Sequence, residues 1–127
     1  MKILHFTTDL MLGSQVGQSA RGRGMTVEMI HRMDRLFEQV DASTALIVID
    51  LQCANWSAEQ FALLRAEKPS TTPVVAYAQH VFPELLVEAK QAGIDTVMTR
   101  GQFTSSVGQL LQNLSSSEAS NEAGSQE

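Results

Sequence analysis

Polar side chains follow the apolar segments of this sequence, and the carboxylate with the most chemical interest is Asp50. It comes directly after residues 45–49, the most apolar segment of the chain. A carboxylate at the end of such a segment loses part of its hydration, and it is costly to bury without a hydrogen-bond donor or a cation. Asp50 could therefore bind a ligand, or it could form a structural ion pair. Arg100 is the natural cation, and Asp9 competes for it.

Other candidate residues follow the remaining apolar segments. Thr7, Thr8 and Asp9 come after the first segment, and Ala78 and His80 come after the fourth. A histidine there could titrate near neutral pH or bind an anion, and it could equally cap a loop. No pattern of His, Cys, Asp and Glu resembles a zinc site, and no nucleophile–base pair has a recognisable spacing, so we predict no catalytic residues.

The elements that position these side chains follow from hydrophobic periodicity. Strands are predicted at residues 2–6, 26–31, 45–49, 73–77 and 96–99, and helices at 10–22, 34–40, 57–67, 83–93 and around 107–114. Strict alternation of strands and helices predicts a parallel sheet covered on both faces. The expected fold is α/β, a flavodoxin-like doubly wound sheet of order 2-1-3-4-5. Its site lies at the carboxyl ends of the central strands, where the strand order reverses.

Local signals mark several helix ends. Asp34 is predicted as an N-cap, Ser57 and Gln60 have the spacing of a capping box, Pro83 suits a first helical turn, and Gly93 ends that helix.

Length and composition indicate one domain over residues 1–114. The chain has 127 residues, of which 43% are apolar, and a net charge of −5. Residues 115–127 are rich in Ser and Glu and hold no large apolar side chain, so we predict a disordered acidic tail.

The net negative charge argues against binding to nucleic acid. Arg21 and Arg23 form the best candidate for a local basic patch. No membrane segment or signal peptide is predicted, and the single Cys53 fits a reducing compartment, so we expect a cytoplasmic protein.

Three segments resemble the receiver domain of two-component response regulators. Residues 47–51 (Ile-Val-Ile-Asp-Leu) resemble the third receiver strand, which ends in the phospho-accepting aspartate. Residues 73–78 resemble the fourth strand, and residues 89–95 resemble the helix end and turn before the fifth. The resemblance extends from residue 2 to about 114 and implies that Asp50 is the candidate phospho-acceptor.

The sequence departs from the receiver pattern at the other site positions. The acidic pair that would hold Mg²⁺ aligns with Thr7 and Thr8, the hydroxyl position falls on Ala78, and the lysine position falls on Arg100. Neutral hydroxyls are poor Mg²⁺ ligands, so no cofactor is expected, and Mg²⁺ would have only Asp9 and Asp50. The sequence therefore predicts a non-catalytic pseudo-receiver with a degenerate phosphorylation site.

Two other functions remain open. A functional single-domain response regulator would be phosphorylated on Asp50, with Asp9 turned towards the crevice. A flavodoxin-type mononucleotide-binding protein would use Trp56 and Tyr77, which follow strands three and four. For the pseudo-receiver we expect a protein partner or self-association through the face of helices 4 and 5, formed around residues 78–83 and 100–104.

Overall fold

The computed structural model describes residues 1–125, and for residues 116–125 it describes the backbone alone. Five strands alternate with five helices along the chain. The elements are β1 (Lys2–Phe6), α1 (Leu10–Arg21), β2 (Thr26–Ile30), α2 (Met33–Glu38), β3 (Thr44–Asp50), α3 (Ala58–Glu67), β4 (Val74–Ala78), α4 (Pro83–Gln91), β5 (Thr96–Thr99) and α5 (Arg100–Ser125).

The five strands form one parallel sheet in the order β2-β1-β3-β4-β5. The predicted doubly wound α/β fold and its strand order are confirmed. In the register of the sheet, Phe6 pairs with Ile49, and Asp50 pairs with Tyr77. The carboxyl ends of β1, β3 and β4 therefore lie side by side, and the loops that follow them form one crevice.

Each face of the sheet carries its own apolar core because alternate residues of a strand point to opposite faces. One core packs α2, α3 and α4 against the sheet and contains Phe6, Ile49 and Phe61. The other packs α1 and α5 against it and contains Val48, Tyr77 and Phe103. Central strands covered on both faces explain the unbroken apolar run at residues 45–49.

Most of the predicted helix ends are in place, with one correction. Ser57 caps α3 by accepting a hydrogen bond from the Gln60 amide at 3.1 Å, and Gly93 follows α4 with φ +92°. Asp34 is not an N-cap, because α2 begins at Met33 after Arg32. The Asp34 carboxylate instead forms two contacts with the Arg32 guanidinium, of 3.1 and 2.7 Å.

The last helix contains the predicted apolar stripe and continues past the predicted end of the domain. Leu111 is buried, Leu114 packs against the same core, and the helical backbone runs to Ser125. The side chains of 116–125 and all of 126–127 lie outside the described residues, so the acidic tail over 115–127 stays a prediction. Among the described residues, no helix combines the length and apolar character needed to cross a bilayer.

Candidate functional site

The Asp50 carboxylate lies in the crevice, and two hydrogen-bond donors satisfy it. Only 6% of the residue is exposed. Its Oδ2 accepts a hydrogen bond from the Thr7 hydroxyl at 2.7 Å, and its Oδ1 accepts one from the Gln52 amide at 3.0 Å. Both donors come from strand ends that the sheet register places side by side. The burial cost of this carboxylate is offset by hydrogen bonds, which is the arrangement that a buried polar group needs.

The cation of the crevice pairs with Asp9. The Arg100 guanidinium contacts Asp9 Oδ2 at 2.7 Å, while Asp9 Oδ1 caps α1 by accepting from the Leu12 amide at 3.1 Å. The Leu12 amide and then Arg100 hold the pKa of Asp9 below its ordinary value, and Asp9 raises the pKa of Arg100. Asp50 and Asp9 were expected to compete for Arg100, and Asp9 is the carboxylate that binds it.

A second buried polar pair lies beneath Asp50 on the α1/α5 side. His5 Nε2 is 2.9 Å from the Tyr77 hydroxyl, and both residues are fully buried. The Tyr77 ring stacks on Phe103 of α5 at 4.5 Å between centroids. Burial lowers the pKa of His5 to about 4, against the opposing charge of Asp9. The pKa of Tyr77 is raised by burial and then by the Asp50 charge, and the Thr7 hydroxyl opposes that rise.

The other predicted residues do not meet at Asp50. Thr8 and His80 are exposed, and Ala78 is buried without a polar atom in its side chain. His80 and Arg100 line a cavity of about 400 Å³ between the loop after β4 and the first turn of α5.

The aromatic residues of the flavin hypothesis belong to the core. Tyr77 is fully buried, and Trp56 packs against Phe6 and Phe61 at centroid distances of 6.4 and 5.6 Å. Neither residue adds support to nucleotide binding, which stays a prediction.

Sequence reasoning missed three contacts that shape the crevice. The receiver pattern identifies Thr7 as a replaced metal ligand, and it gives no sign that Thr7 donates to Asp50. The Gln52 side chain accepts from the Gln79 amide at 2.7 Å and so ties the loops after β3 and β4 together. Thr99 and Gln102 form a reciprocal capping box at the start of α5, with bonds of 3.2 and 2.9 Å. The Thr-x-x-Gln spacing of that box was a readable signal.

The donor set of the crevice does not fit a divalent cation. A hard cation such as Mg²⁺ takes several oxygen ligands, usually carboxylates and water. Here one Asp50 oxygen is bonded to Thr7, and Asp9 is bound to a guanidinium. Across the described part of the chain, no group of three or more His, Cys, Asp or Glu residues is arranged to hold a metal.

Comparisons with known proteins found similar structures but no similar sequence. No protein-family model matches the sequence, and no curated protein matches it. A response regulator receiver protein from Pseudoalteromonas atlantica superimposes with a TM-score of 0.72 at 9% identity, covering 90% of this chain and 96% of that chain. A chemotaxis response regulator of Vibrio cholerae superimposes with a TM-score of 0.70 at 17% identity, covering 89% and 97%. The chain has the receiver fold.

A third neighbour with the receiver fold has a different stated role. It belongs to a family of redox sensors in the streptococci that evolved from two-component response regulators. The TM-score is 0.72 at 10% identity, with 97% of this chain and 54% of that chain covered. The resemblance on which the sequence prediction rested is thus confirmed at the level of the receiver fold, and the chemistry of the crevice must be argued from this chain's own residues.

Proposed function

We propose that this receiver fold serves as a non-catalytic interaction domain whose crevice does not take part in phosphoryl transfer. The observation that carries the proposal is the bonding of Asp50. Its Oδ2 is engaged by the Thr7 hydroxyl at 2.7 Å, at the position where a working receiver would present carboxylates. Aspartyl phosphorylation needs positive charge beside the carboxylate to stabilise the transferring group, and the Thr7 hydroxyl stands in place of a carboxylate that would hold a metal ion there.

The charge of Arg100 does not stabilise a group at Asp50. Its guanidinium contacts Asp9, so the cation nearest to the crevice is already neutralised. Ala78 brings no hydroxyl to the remaining position. Of the groups that would stabilise a phosphoryl group, a metal-binding carboxylate is replaced by Thr7, Arg100 is bound to Asp9, and the hydroxyl is absent at Ala78. We infer that the domain holds no resident metal and no enzymatic activity, and that Asp50 is retained for structure.

For the partner surface we propose the face formed by α4 and α5 together with the loop before α4. Three large apolar side chains are exposed on α4 and that loop: Val81 by 61%, Phe82 by 37% and Val87 by 52%. Exposed apolar side chains gathered on one part of a monomer are typical of protein contacts. The receiver-like redox sensor is a neighbour whose stated role differs from phosphotransfer, which fits the use of this fold for other signalling purposes.

Phosphorylation can be tested with acetyl phosphate and Mg²⁺, followed by intact mass measurement. The proposal predicts no added phosphoryl mass on the wild-type chain under conditions that phosphorylate a functional receiver domain. A stoichiometric mass increase that disappears in Asp50→Asn would overturn it and favour the single-domain response regulator.

The partner face is tested separately by self-association. Sedimentation velocity over a range of concentrations should show association that Val87→Asp reduces, while Leu63→Asp, at an exposed apolar residue on α3, leaves it unchanged. If both variants behave as the wild type does, self-association through this face is ruled out.

A further inference from the structure

The first turn of α1 carries the two large apolar side chains that are most exposed in the described part of the chain. Leu10 and Met11 are adjacent there, and each is 77% exposed. Apolar surface of this extent is unfavourable in water. Large apolar side chains that lie together on the surface of a monomer are typical of a contact with a partner.

The exposed side of α1 leads from this apolar pair to a cation. Met11, Ser14, Gln18 and Arg21 follow one another at intervals of three or four residues, and all four are exposed. Residues at that spacing share one side of a helix. The distance from Met11 to Arg21 along the helix axis is about 15 Å, or nearly three turns. This side of α1 is therefore apolar at its first turn, uncharged in the middle and positive at its last turn.

A second arginine lies at the junction of α1 and α5. The Arg23 guanidinium donates to the backbone carbonyl and the hydroxyl of Ser19 at 3.0 and 3.1 Å. A Cβ on Gly108 of α5 would lie 3.4 Å from Arg23 Nη2, so the guanidinium packs against that helix. In the described part of the chain, neither Arg21 nor Arg23 forms an ion pair.

The charge of α1 and α5 contrasts with that of the whole molecule. The chain has a net charge of −5, yet residues 10–27 contain Arg21 and Arg23 and no Asp or Glu. Residues 96–115 contain Arg100 as their only charged residue, and it is already paired. The two arginines at the end of α1 are thus an excess of positive charge, which favours an acidic partner.

The two acids that flank this segment in the sequence are directed away from its arginines. Asp9 is bound to Arg100. Met29 of β2 lies against α1 at Gly13, and its neighbour Glu28 points to the opposite face of the sheet because successive residues of a strand alternate. Neither carboxylate therefore balances the charge at the end of α1.

We propose that the exposed side of α1 binds an amphipathic helix of a partner protein. Apolar side chains of that helix cover Leu10 and Met11, and acidic side chains nearly three turns away pair with Arg21 and Arg23. Helices pack through side chains repeated at intervals of three and four residues, which is the spacing of this side of α1. The site includes neither Asp50 nor α4, and it does not rest on the function proposed for them.

Other occupants fit only one end of this surface. Residues 115–127 of this chain contain three glutamates but no large apolar side chain, so they have nothing to cover Leu10 and Met11. Nucleic acid would gain few phosphate contacts from two arginines, and it would leave the apolar pair exposed. A helix with both apolar and acidic side chains fits both ends.

The test uses the full chain and a synthetic helical peptide that carries leucines at one end and glutamates nearly three turns away. Two control peptides replace the glutamates by lysine or the leucines by serine. Amide NMR spectra should show shifts at Met11, Gln18 and Arg21 with the first peptide, and each control should bind about ten-fold more weakly. No shift at millimolar peptide, or equal binding of all three peptides, would overturn the proposal.

Matched variants of the chain locate the contact. Arg21→Glu should weaken binding of the leucine–glutamate peptide about ten-fold, whereas Arg35→Glu, at an exposed arginine of α2, should not. Met11→Ser should weaken it by a similar factor, whereas Leu63→Ser, at an exposed residue of α3, should not. Equal affinities within either pair contradict the proposal, as does a dimer of this chain that excludes the peptide. Val87→Asp should bind the peptide as the wild type does, so this proposal and the α4 face can fail separately.

Discussion

At the scale of single residues, the crevice is a set of closed hydrogen bonds around two carboxylates. Thr7 and the Gln52 amide satisfy Asp50, and Arg100 and the Leu12 amide satisfy Asp9. Beneath them His5 and Tyr77 bond to each other in a fully buried layer. Because leaving one member of such a pair unsatisfied is costly, substitutions here should affect stability before they affect binding.

Replacing the Thr7 hydroxyl should expose the dependence of Asp50 on it. Thr7→Val keeps the shape of the side chain and removes both the donor to Asp50 and the acceptor of the Asp9 amide, so the free energy of unfolding should fall by about 1–3 kcal/mol. Urea denaturation measures the change. The matched substitution Thr8→Val, at an exposed neighbour, should stay within about 0.5 kcal/mol. Equal effects of the two variants would contradict the role assigned to Thr7.

His5 should make stability depend on pH between its unfolded and folded pKa values. The folded pKa is about 4 and the ordinary value is 6.5, so the unfolded chain binds the proton first as pH falls. The stability contributed by neutral His5 is complete above pH 6.5, and it is lost as the pH falls from there towards 4. The loss reaches about 3 kcal/mol over the whole interval.

Urea denaturation at several pH values, with His5→Asn and His31→Gln as variants, checks this assignment. The pH dependence should shrink in His5→Asn and persist in His31→Gln, whose histidine is exposed. An imidazole signal of His5 that titrates near pH 6.5 in NMR spectra of the folded protein would contradict it.

At the scale of elements, the ends of α1 and α5 are joined across the carboxyl edge of the sheet. Asp9 caps α1 and binds Arg100 at the first turn of α5, and Phe103 one turn later stacks on Tyr77 of β4. The two functions of Asp9 can be separated because asparagine caps helices as well as aspartate does but carries no charge.

Asp9→Asn should therefore cost less than Asp9→Ala. The first loses only a partly exposed ion pair, which is worth about 1 kcal/mol or less, and the second also loses the cap, for about 1 kcal/mol more. Thermal or urea unfolding gives both values. Equal losses would mean that Asp9 does not act as the cap of α1.

The two glycines of α1 should respond differently to alanine. A Cβ on Gly13 would lie against the Met29 thioether of β2, whereas a Cβ on Gly17 would meet only the Arg21 guanidinium at an ordinary 3.6 Å. Gly17→Ala should stabilise the protein by about 0.5–1 kcal/mol through helix propensity. Gly13→Ala should lose that gain because Met29 must move. A larger gain for Gly13→Ala, measured by thermal unfolding, would contradict this packing.

The elements were predictable from the sequence, and so was the pairing of Arg100 with a crevice carboxylate, but the other contacts between distant residues were not. Periodicity located β1 at Lys2–Phe6, and alternation of element types gave the strand order. The prediction of Asp34 as an N-cap is wrong because its carboxylate binds the Arg32 guanidinium. The sequence alone does not decide whether a carboxylate binds a neighbouring side chain or the amides of a helix end. The Thr7–Asp50 and His5–Tyr77 bonds join different strands, so only the register of the sheet reveals them.

At the scale of the whole molecule, the chain combines the receiver fold with a crevice whose charged groups are already paired. The apolar side chains around α4 are the surface that we propose for a protein partner. That surface does not include Asp50, so binding there should be independent of phosphorylation conditions.

The most direct test of the central proposal is a titration of the folded protein with Mg²⁺ and then with beryllofluoride, an analogue of the aspartyl phosphate. The fluorescence of Trp56, the only tryptophan, reports on the segment that follows Asp50. Because Thr7 engages the Asp50 carboxylate and Asp9 is bound to Arg100, we expect no saturable change in wild type or in Asp50→Asn. A saturable change in the wild type that Asp50→Asn abolishes would contradict the pseudo-receiver account and establish Asp50 as a phosphoryl acceptor.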